Sequence, residues 1–472
     1  MTVCETENCA TDEHRTQSRR RVLLAVASVA SLMCALDTLV VSTALTTIRL
    51  DLGASVEALE WTVNAYNLAL AVLLVPAASL GDRYGRRRMF AAGLGLFVAA
   101  SAVCALAPDA TLLALARAVQ GAGAALVTAL GMALVAAAYP PERRGAALGV
   151  LQGVTGLAVL AGPGLGGLVT STLGWEWIFW LNVPIGLLLL PVVLRTAGEG
   201  HDDESRPLDV TGVLLVTGAA LGLLWALSRG NPVGWSAPEV VGAALVGLLL
   251  LGLFLRRQAR VAAPVIPPHL LRVRGFVAGN LATIGLYASI FGGVFFYSQL
   301  LAVSLGFTPL EAGLGLFPWT SALFVLGPLA GRLADRIGNR PVGVAGLVLA
   351  AAGTAWIALV AEPGVTYPDL IGPFVLSAVG GSGAMPALAS AVLARVGPAD
   401  VGAASGVTSM VRELGGVLGL AVLVAVFAGH GGYADPAAFL AGFAPAMGVC
   451  AAVVAAGALA AAFLPARKEL SA

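Results

Sequence analysis

One aspartate, Asp37, stands in an otherwise apolar run over residues 22–45. One arginine, Arg117, stands in another over 111–138. Arg412 and Glu413 are adjacent inside a third, over 402–428. A charge in such surroundings is expensive unless it is paired, hydrated or neutralised by a proton. Burial and a nearby cation push a carboxyl's proton affinity in opposite directions, so a conformational change can move a proton on or off it. That is the chemistry of proton coupling, and Asp37, Arg117 and Glu413 are its candidates. At about 1.5 Å per residue, Asp37 lies roughly 12 Å below one end of its run and Arg117 roughly 9 Å below one end of its own. The span count below puts those two ends at the same surface, so direct or water-bridged pairing is expected. The competing readings are a permanent structural pair for Asp37 and an arginine satisfied by carbonyls for Arg117. Consecutive helical residues point about 100° apart. Arg412 and Glu413 are therefore expected on different faces, one towards a cavity and one sideways. Glu413 could carry a second proton or anchor a cation; a charge-neutralising pair with a neighbouring helix is the plainer alternative.

These residues need a membrane scaffold to position them. The chain has 472 residues, of which 58% are hydrophobic and 11% charged. A soluble chain carries about a quarter charged residues, so lipid must serve as the solvent. A net charge of +1 offers nothing to nucleic acid. Cys4, Cys9, Cys34, Cys104 and Cys450 show neither a disulfide framework nor metal-ligand spacing. Some twenty polar residues precede the first apolar run, which is too long for a secretory signal. With about 20 apolar residues per crossing, spans fall near 22–45, 61–80, 89–107, 111–138, 146–169, 177–194, 210–227 and 239–255. Six more fall near 276–303, 312–331, 342–360, 370–394, 402–428 and 439–464, which makes fourteen. Arginines gather before the first span and after every even-numbered one, from Arg83 and Arg86 to Arg467. The opposite loops hold Arg49 and Arg229 and lean acidic through Asp51, Glu57, Glu60, Asp109, Glu176, Glu362, Asp369 and Asp435. The positive-inside rule then puts both termini in the cytoplasm.

One loop recurs. Asp82-Arg83-Tyr84-Gly85-Arg86-Arg87-Arg88 follows span two, and Asp335-Arg336-Ile337-Gly338-Asn339-Arg340 follows span ten. A short charged loop hinged on glycine, in matching places of two repeats, suits halves that slide past each other. Asp82, Arg83, Gly85, Arg86, Asp335, Arg336, Gly338 and Arg340 are its candidate gating residues. The organisation read from this is a tail over 1–21, a six-helix half over 22–197, and a linker with two inserted helices over 198–274. A second six-helix half over 275–464 and a tail over 465–472 complete it. In span five, Gly162-Pro163-Gly164-Leu165-Gly166-Gly167 removes side chains and one backbone donor. Small residues let helices approach closely and proline bends them.

Five motifs together resemble the major facilitator superfamily, and within it the fourteen-helix drug:proton antiporters. They are residues 36–41 (LDTLVV), 61–66 (WTVNAY), the 82–88 loop, 117–123 (RAVQGAG) and 162–167 (GPGLGG). Residues 177–184 (WIFWLNVP) add a likeness to the fourteen-helix branch. Ala78 and Ala158 stand where the family usually has glycine, a small-for-small change. The resemblance implies an all-α polytopic membrane protein of the major facilitator fold, with two six-helix halves and two inserted helices. It implies proton coupling at Arg117. It makes Gly162, Pro163, Gly166 and Gly167 the antiporter motif, a seal against leakage. Family members often carry glutamine at the Glu413 position, so the acid is a departure.

Trp61, Asn64, Tyr66 and Asn67, with Phe295, Tyr297, Gln299 and Arg412, could line an apolar cavity for flat cations; ordinary packing is the alternative. A nucleotide-driven pump is excluded, because Lys468 is the only lysine and a P-loop needs one. An enzyme is disfavoured: His14, His201, His269 and His430 are isolated in tails or loops. The expected activity is export of small amphipathic compounds in exchange for protons, by a monomer in the cytoplasmic membrane, with no cofactor and no metal. The rivals are an uptake symporter and a monovalent-cation/proton antiporter.

Overall fold

The computed structural model describes residues 3–196, 209–261, 264–394, 396–397 and 400–465. Residues 198–207, the start of the expected linker segment, and almost all of the C-terminal tail lie outside these residues. So do the side chains of residues 3–16, which carry Cys4, Cys9 and His14, and those of Asp82 and Asp335.

The described chain is helical throughout. The first group of helices is α1 (Val3–Asp51), α2 (Val56–Tyr84), α3 (Arg86–Ala105), α4 (Ala110–Ala138), α5 (Pro141–Thr172), α6 (Glu176–Trp180) and α7 (Asn182–Thr196). A hairpin follows, α8 (Val210–Val233) and α9 (Pro238–Gln258). The second group is α10 (Arg274–Gln299), α11 (Pro309–Gly315), α12 (Phe317–Ile337), α13 (Asn339–Val360), α14 (Tyr367–Leu393), α15 (Val401–His430) and α16 (Pro436–Ala461). Among the described residues, 12 segments are long and apolar enough to cross a membrane, with α6 and α7 forming one of them and α11 and α12 contributing to another. This is a multi-pass membrane protein.

Helix ends follow local chemistry. Ser55 and Asp109 cap α2 and α4 by accepting from the free amides of the first turn. Thr308 and Glu311 form a capping box that starts α11. The two copies of the repeated loop share one geometry. Gly85 alone joins α2 to α3, at φ 99°, and Gly338 alone joins α12 to α13, at φ 103°. Each glycine N–H closes the preceding helix, on Gly81 O and Ala334 O. A side chain is strained at such φ values, which accounts for glycine at both places.

Glycines bring the helices into contact. A Cβ on Gly121 would stand 2.2 Å from Tyr66 O, where α4 meets α2. On Gly380 it would stand 2.1 Å from Ala350 N, where α14 meets α13. On Gly419 it would stand 2.3 Å from Ala288 Cβ, where α15 meets α10. Helix α8 packs on α9 through Gly222 and Gly247, and through Leu224 against α2 and α15. Much of α9 is bare: Leu245, Val246, Leu248 and Leu249 are all exposed, as lipid-facing residues are.

The two groups interlock at the end of the bundle that is poor in arginine. Ser298 Oγ donates to Ser42 O at 3.0 Å, joining α10 to α1. The Arg49 guanidinium lies 4.5 Å from the ring centroid of Tyr433, whose hydroxyl donates to Gln299. Apolar side chains of α1 and α2, including Val41, Leu45 and Leu59, share one core with Phe296, Leu300 and Leu301.

Two expectations change. Glu60 was read as a loop residue, because the apolar run begins at Trp61. It lies inside α2, which starts at Val56, and is 2% exposed. Arg412 and Glu413 do not part company around α15. Their long side chains curl back and pair with each other.

Candidate functional site

The acid and the arginine singled out in the first group meet. Asp37 on α1 is 2% exposed and Arg117 on α4 is 1% exposed. Arg117 Nη1 donates to Asp37 Oδ2. The other oxygen, Asp37 Oδ1, accepts from Gln120 Nε2 at 2.8 Å and from Asn182 Nδ2 at 2.9 Å. Arg117 also donates to Gln120 Oε1 at 2.7 Å and, through Nε, to the Thr62 carbonyl of α2 at 3.0 Å. Gln120 Nε2 reaches Ser101 Oγ of α3 at 2.8 Å. The Tyr66 ring lies 4.2 Å from the guanidinium carbon, and the Tyr66 hydroxyl donates to Cys34 O at 3.0 Å.

The network therefore draws on α1, α2, α3, α4 and α7. All three donors to Asp37 are N–H groups, and a carboxylate is an acceptor only. The arrangement thus matches the ionised acid. A proton on Asp37 would leave one donor without its acceptor and loosen the join between helices.

Gln120 and Asn182 were not among the expected site residues, although both stand within motifs noted above. Gln120 is three residues after Arg117, on the same helical face. Asn182 opens α7 just past Leu181, the break after α6.

The second charged constellation is simpler. Arg412 Nε and Nη2 both lie 2.9 Å from Glu413 Oε1. The Tyr287 ring of α10 lies 5.5 Å from the guanidinium carbon. The Glu413 side chain is 8% exposed and that of Arg412 is 36%.

The Gly/Pro cluster of α5 is gripped on two sides. A Cβ on Gly162 would stand 2.8 Å from Leu39 Cβ, and one on Gly166 2.4 Å from Thr43 Oγ1, both on α1. On Gly167 it would stand 2.2 Å from Pro309 O of α11. A Cβ on Gly313 would in turn stand 2.1 Å from Pro163 O. Helix α5 is thus wedged between the two groups.

The expected cavity residues disperse. Phe295 and Tyr297 are packed in the aromatic core, Tyr297 between Trp319 and Phe374. Gln299 belongs to the seam with Tyr433. Tyr66 belongs to the Arg117 network, and Trp61 packs with residues of α8 and α15. Asn64 donates to Glu60 Oε1 at 2.9 Å, and the buried Asn67 side chain has no hydrogen-bond partner among the described residues. Glu60, Asn64 and Asn67 share one face of α2 by helical spacing.

In the repeated loop, Arg83 is exposed beside the Tyr84 ring, and Arg87 donates to Leu194 O at 3.3 Å. Arg86 is half-buried, while Arg336 and Arg340 are exposed. Asn339 Nδ2 donates to Ser390 Oγ at 3.1 Å.

A many-helix membrane bundle with a buried charge network across its helices is the architecture of a transporter. The chain belongs to the major facilitator superfamily, whose description matches residues 27–419 and again 280–471. It is 35% identical over 422 residues to the cephamycin export protein CmcT of Amycolatopsis lactamdurans, covering 88% of this chain and 86% of that one. It is 33% identical over 429 residues to the methylenomycin A resistance protein of Streptomyces coelicolor, covering 90% of each. It is 32% identical over 416 residues to the tetracenomycin C resistance and export protein of Streptomyces glaucescens, covering 88% and 77%. Among solved structures, a POT family transporter in complex with 5-aminolevulinic acid superposes with a TM-score of 0.70 at 15% identity, over 92% of this chain and 94% of that one. A peptide transporter POT in complex with sulfate does so at 0.68 and 16%, over 94% and 95%. At these identities the two solved structures speak for the fold alone.

Proposed function

We propose that this chain is a proton-coupled antiporter that exports small amphipathic compounds, antibiotics among them, across the cytoplasmic membrane. The observation that carries the reading is Asp37: a buried carboxylate held by three donors from two other helices, in a chain whose relatives are named for antibiotic export and resistance. A proton arriving at Asp37 costs the network one of its three donor contacts and loosens the registration of α1 against α4 and α7. That is the step by which protonation biases the halves towards their other arrangement.

The reading takes α2 and α5 as spans too, being 29 and 32 residues long, which brings the count to fourteen. It divides them into two six-helix halves with α8 and α9 inserted between. The arginine-rich loops, by the positive-inside rule, support a cytoplasmic position for that end and for both termini. The interlocked end then faces outwards, so the arrangement described is closed to the outside. The working unit is a monomer driven by the proton gradient alone, without a cofactor.

The test is flux in proteoliposomes with an imposed pH gradient, using cephamycin, methylenomycin and a lipophilic cationic dye. Compound movement against its own gradient, driven by protons and lost on collapsing the pH difference, is expected. Flux that ignores the pH gradient, or follows a sodium gradient instead, overturns the reading.

A further inference from the structure

The α8–α9 hairpin carries a feature that the transport chemistry does not use. Between the start of α8 and the arginine-rich end of α9 lies a cavity of about 460 Å³. Thr211 and Leu215 line it from α8, and Leu253, Arg256, Arg257 and Arg260 from α9 and the turn after it. Thr211 and Leu215 are one turn apart, as are Leu253 and Arg257, so each helix gives the cavity one continuous face. The leucines lie about 5 Å nearer the membrane centre than the polar residues. The site thus has an apolar floor and a cationic mouth at the depth of lipid headgroups.

Its frame is fixed. Asp209 caps α8 by accepting from Gly212 N at 2.9 Å and also accepts from Arg257 Nε at 2.7 Å and Gln258 Nε2 at 3.2 Å. Gln258 Oε1 in turn accepts from Ile266 N at 3.0 Å. Asp209 therefore neutralises Arg257. Arg256 and Arg260 are exposed and make no ion pair among the described residues. Two cations with no ion pair among the described residues, above the half-buried Leu215 and the exposed Leu253, complement a phosphate joined to acyl chains.

We propose that this cavity is a binding site for an anionic phospholipid, with the headgroup phosphate on Arg256 and Arg260 and the acyl chains over Leu215 and Leu253. The leaflet follows from the orientation proposed above; the site itself does not depend on it or on transport. The bound lipid anchors the hairpin, and through α8 its contacts with α2 and α15.

The experiment is native mass spectrometry of the full chain in detergent, titrated with phosphatidylglycerol and, as control, phosphatidylcholine. Phosphatidylglycerol should bind preferentially. R256Q/R260Q should bind it roughly 30-fold more weakly, at about a tenfold loss for each 1.4 kcal/mol and about 1 kcal/mol for each arginine near the surface. R272Q/R274Q, which removes the same charge outside the cavity, should bind it as the parent does. T211F fills the cavity without changing charge and should also weaken binding; it decides the matter if the double variant fails to fold. Undiminished binding by both R256Q/R260Q and T211F overturns the proposal. So does an equal loss in R272Q/R274Q. Displacement of the lipid by an equal concentration of glycerol 1-phosphate would show a small-anion site instead, and overturns it as well.

Discussion

Two ion pairs lie well inside the apolar helices among the described residues, and they differ in what they join. Asp37–Arg117 links α1 to α4 and is tied by Gln120, Asn182, Thr62 and Ser101 to three further helices. Arg412–Glu413 lies within α15, between sequence neighbours, with Tyr287 of α10 beside it. A pair that spans helices changes when they move. A pair carried on one helix travels with it and is blind to that motion. Under the proposed function the first is the pair suited to sensing conformation, while the second keeps its geometry on α15 whatever the conformation.

The largest effect is expected from Asp37→Asn. It should abolish proton-driven export while leaving the protein in the membrane, as surface labelling and flux would show together. Asp37→Ala should in addition destabilise the fold by about 3–5 kcal/mol, because Arg117 is left buried without its counterion. Retained uphill export by Asp37→Asn would make the network purely structural and erase the contrast.

Gly167→Val comes next. With Pro309 O so close, any side chain should pry α5 from α11 and open the seam between the two groups. A cysteine introduced at Ser42 should then become reactive to an impermeant thiol reagent several times faster than in the parent. Unchanged reactivity would mean that the seam relaxes elsewhere.

Glu413→Gln sharpens the comparison from the other side. Proton coupling should survive, and unfolding should shift by about 1 kcal/mol, the scale of one hydrogen bond. Export of a permanent cation should fall about tenfold, while export of a neutral compound of similar size continues, since the change leaves Arg412 without its counterion and that lone positive charge repels a cation. Equal loss of both would move Glu413 to the coupling side.

The smallest effect concerns Asp209, outside the spans. Burial raises its proton affinity, but Arg257, the Gly212 amide and Gln258 outweigh that and hold the carboxyl below its usual range. The folded value lies below the unfolded one. Its contribution to stability is therefore complete above the ordinary carboxylate value of about 3.9 and is lost as the pH falls through the folded value. Melting temperatures of the parent and of Asp209→Asn should differ at neutral pH and converge in strong acid.

What the amino-acid order disclosed follows from what membranes make expensive. Asp37 and Arg117 were legible, and so was their meeting, because lone charges in apolar runs demand partners at matching depth. The paired glycine turns at Gly85 and Gly338 were legible because two charged loops repeat around them. Gln120 and Asn182 escaped notice because a neutral amide in a membrane helix is cheap and carries no sign to match. Glu60 was misplaced because hydropathy locates the greasy part of a helix, whereas α2 begins a turn earlier at its Ser55 cap. Phe295 and Tyr297 looked like walls of a cavity because aromatic side chains serve equally well in a core. Only contact separates the two uses.

The seam between the two groups bears on how such a protein could be drugged. Two of its tight approaches involve backbone and glycine: Gly167 against Pro309 O, and Gly313 against Pro163 O. A compound seated across that line would rest on main chain that every coding change at other positions leaves in place. Changes to the glycines themselves would disturb the closure that the transporter needs. We expect escape variants selected against such a compound to be rarer than those selected against one bound at Glu413, and counting resistant colonies under both selections would measure the difference.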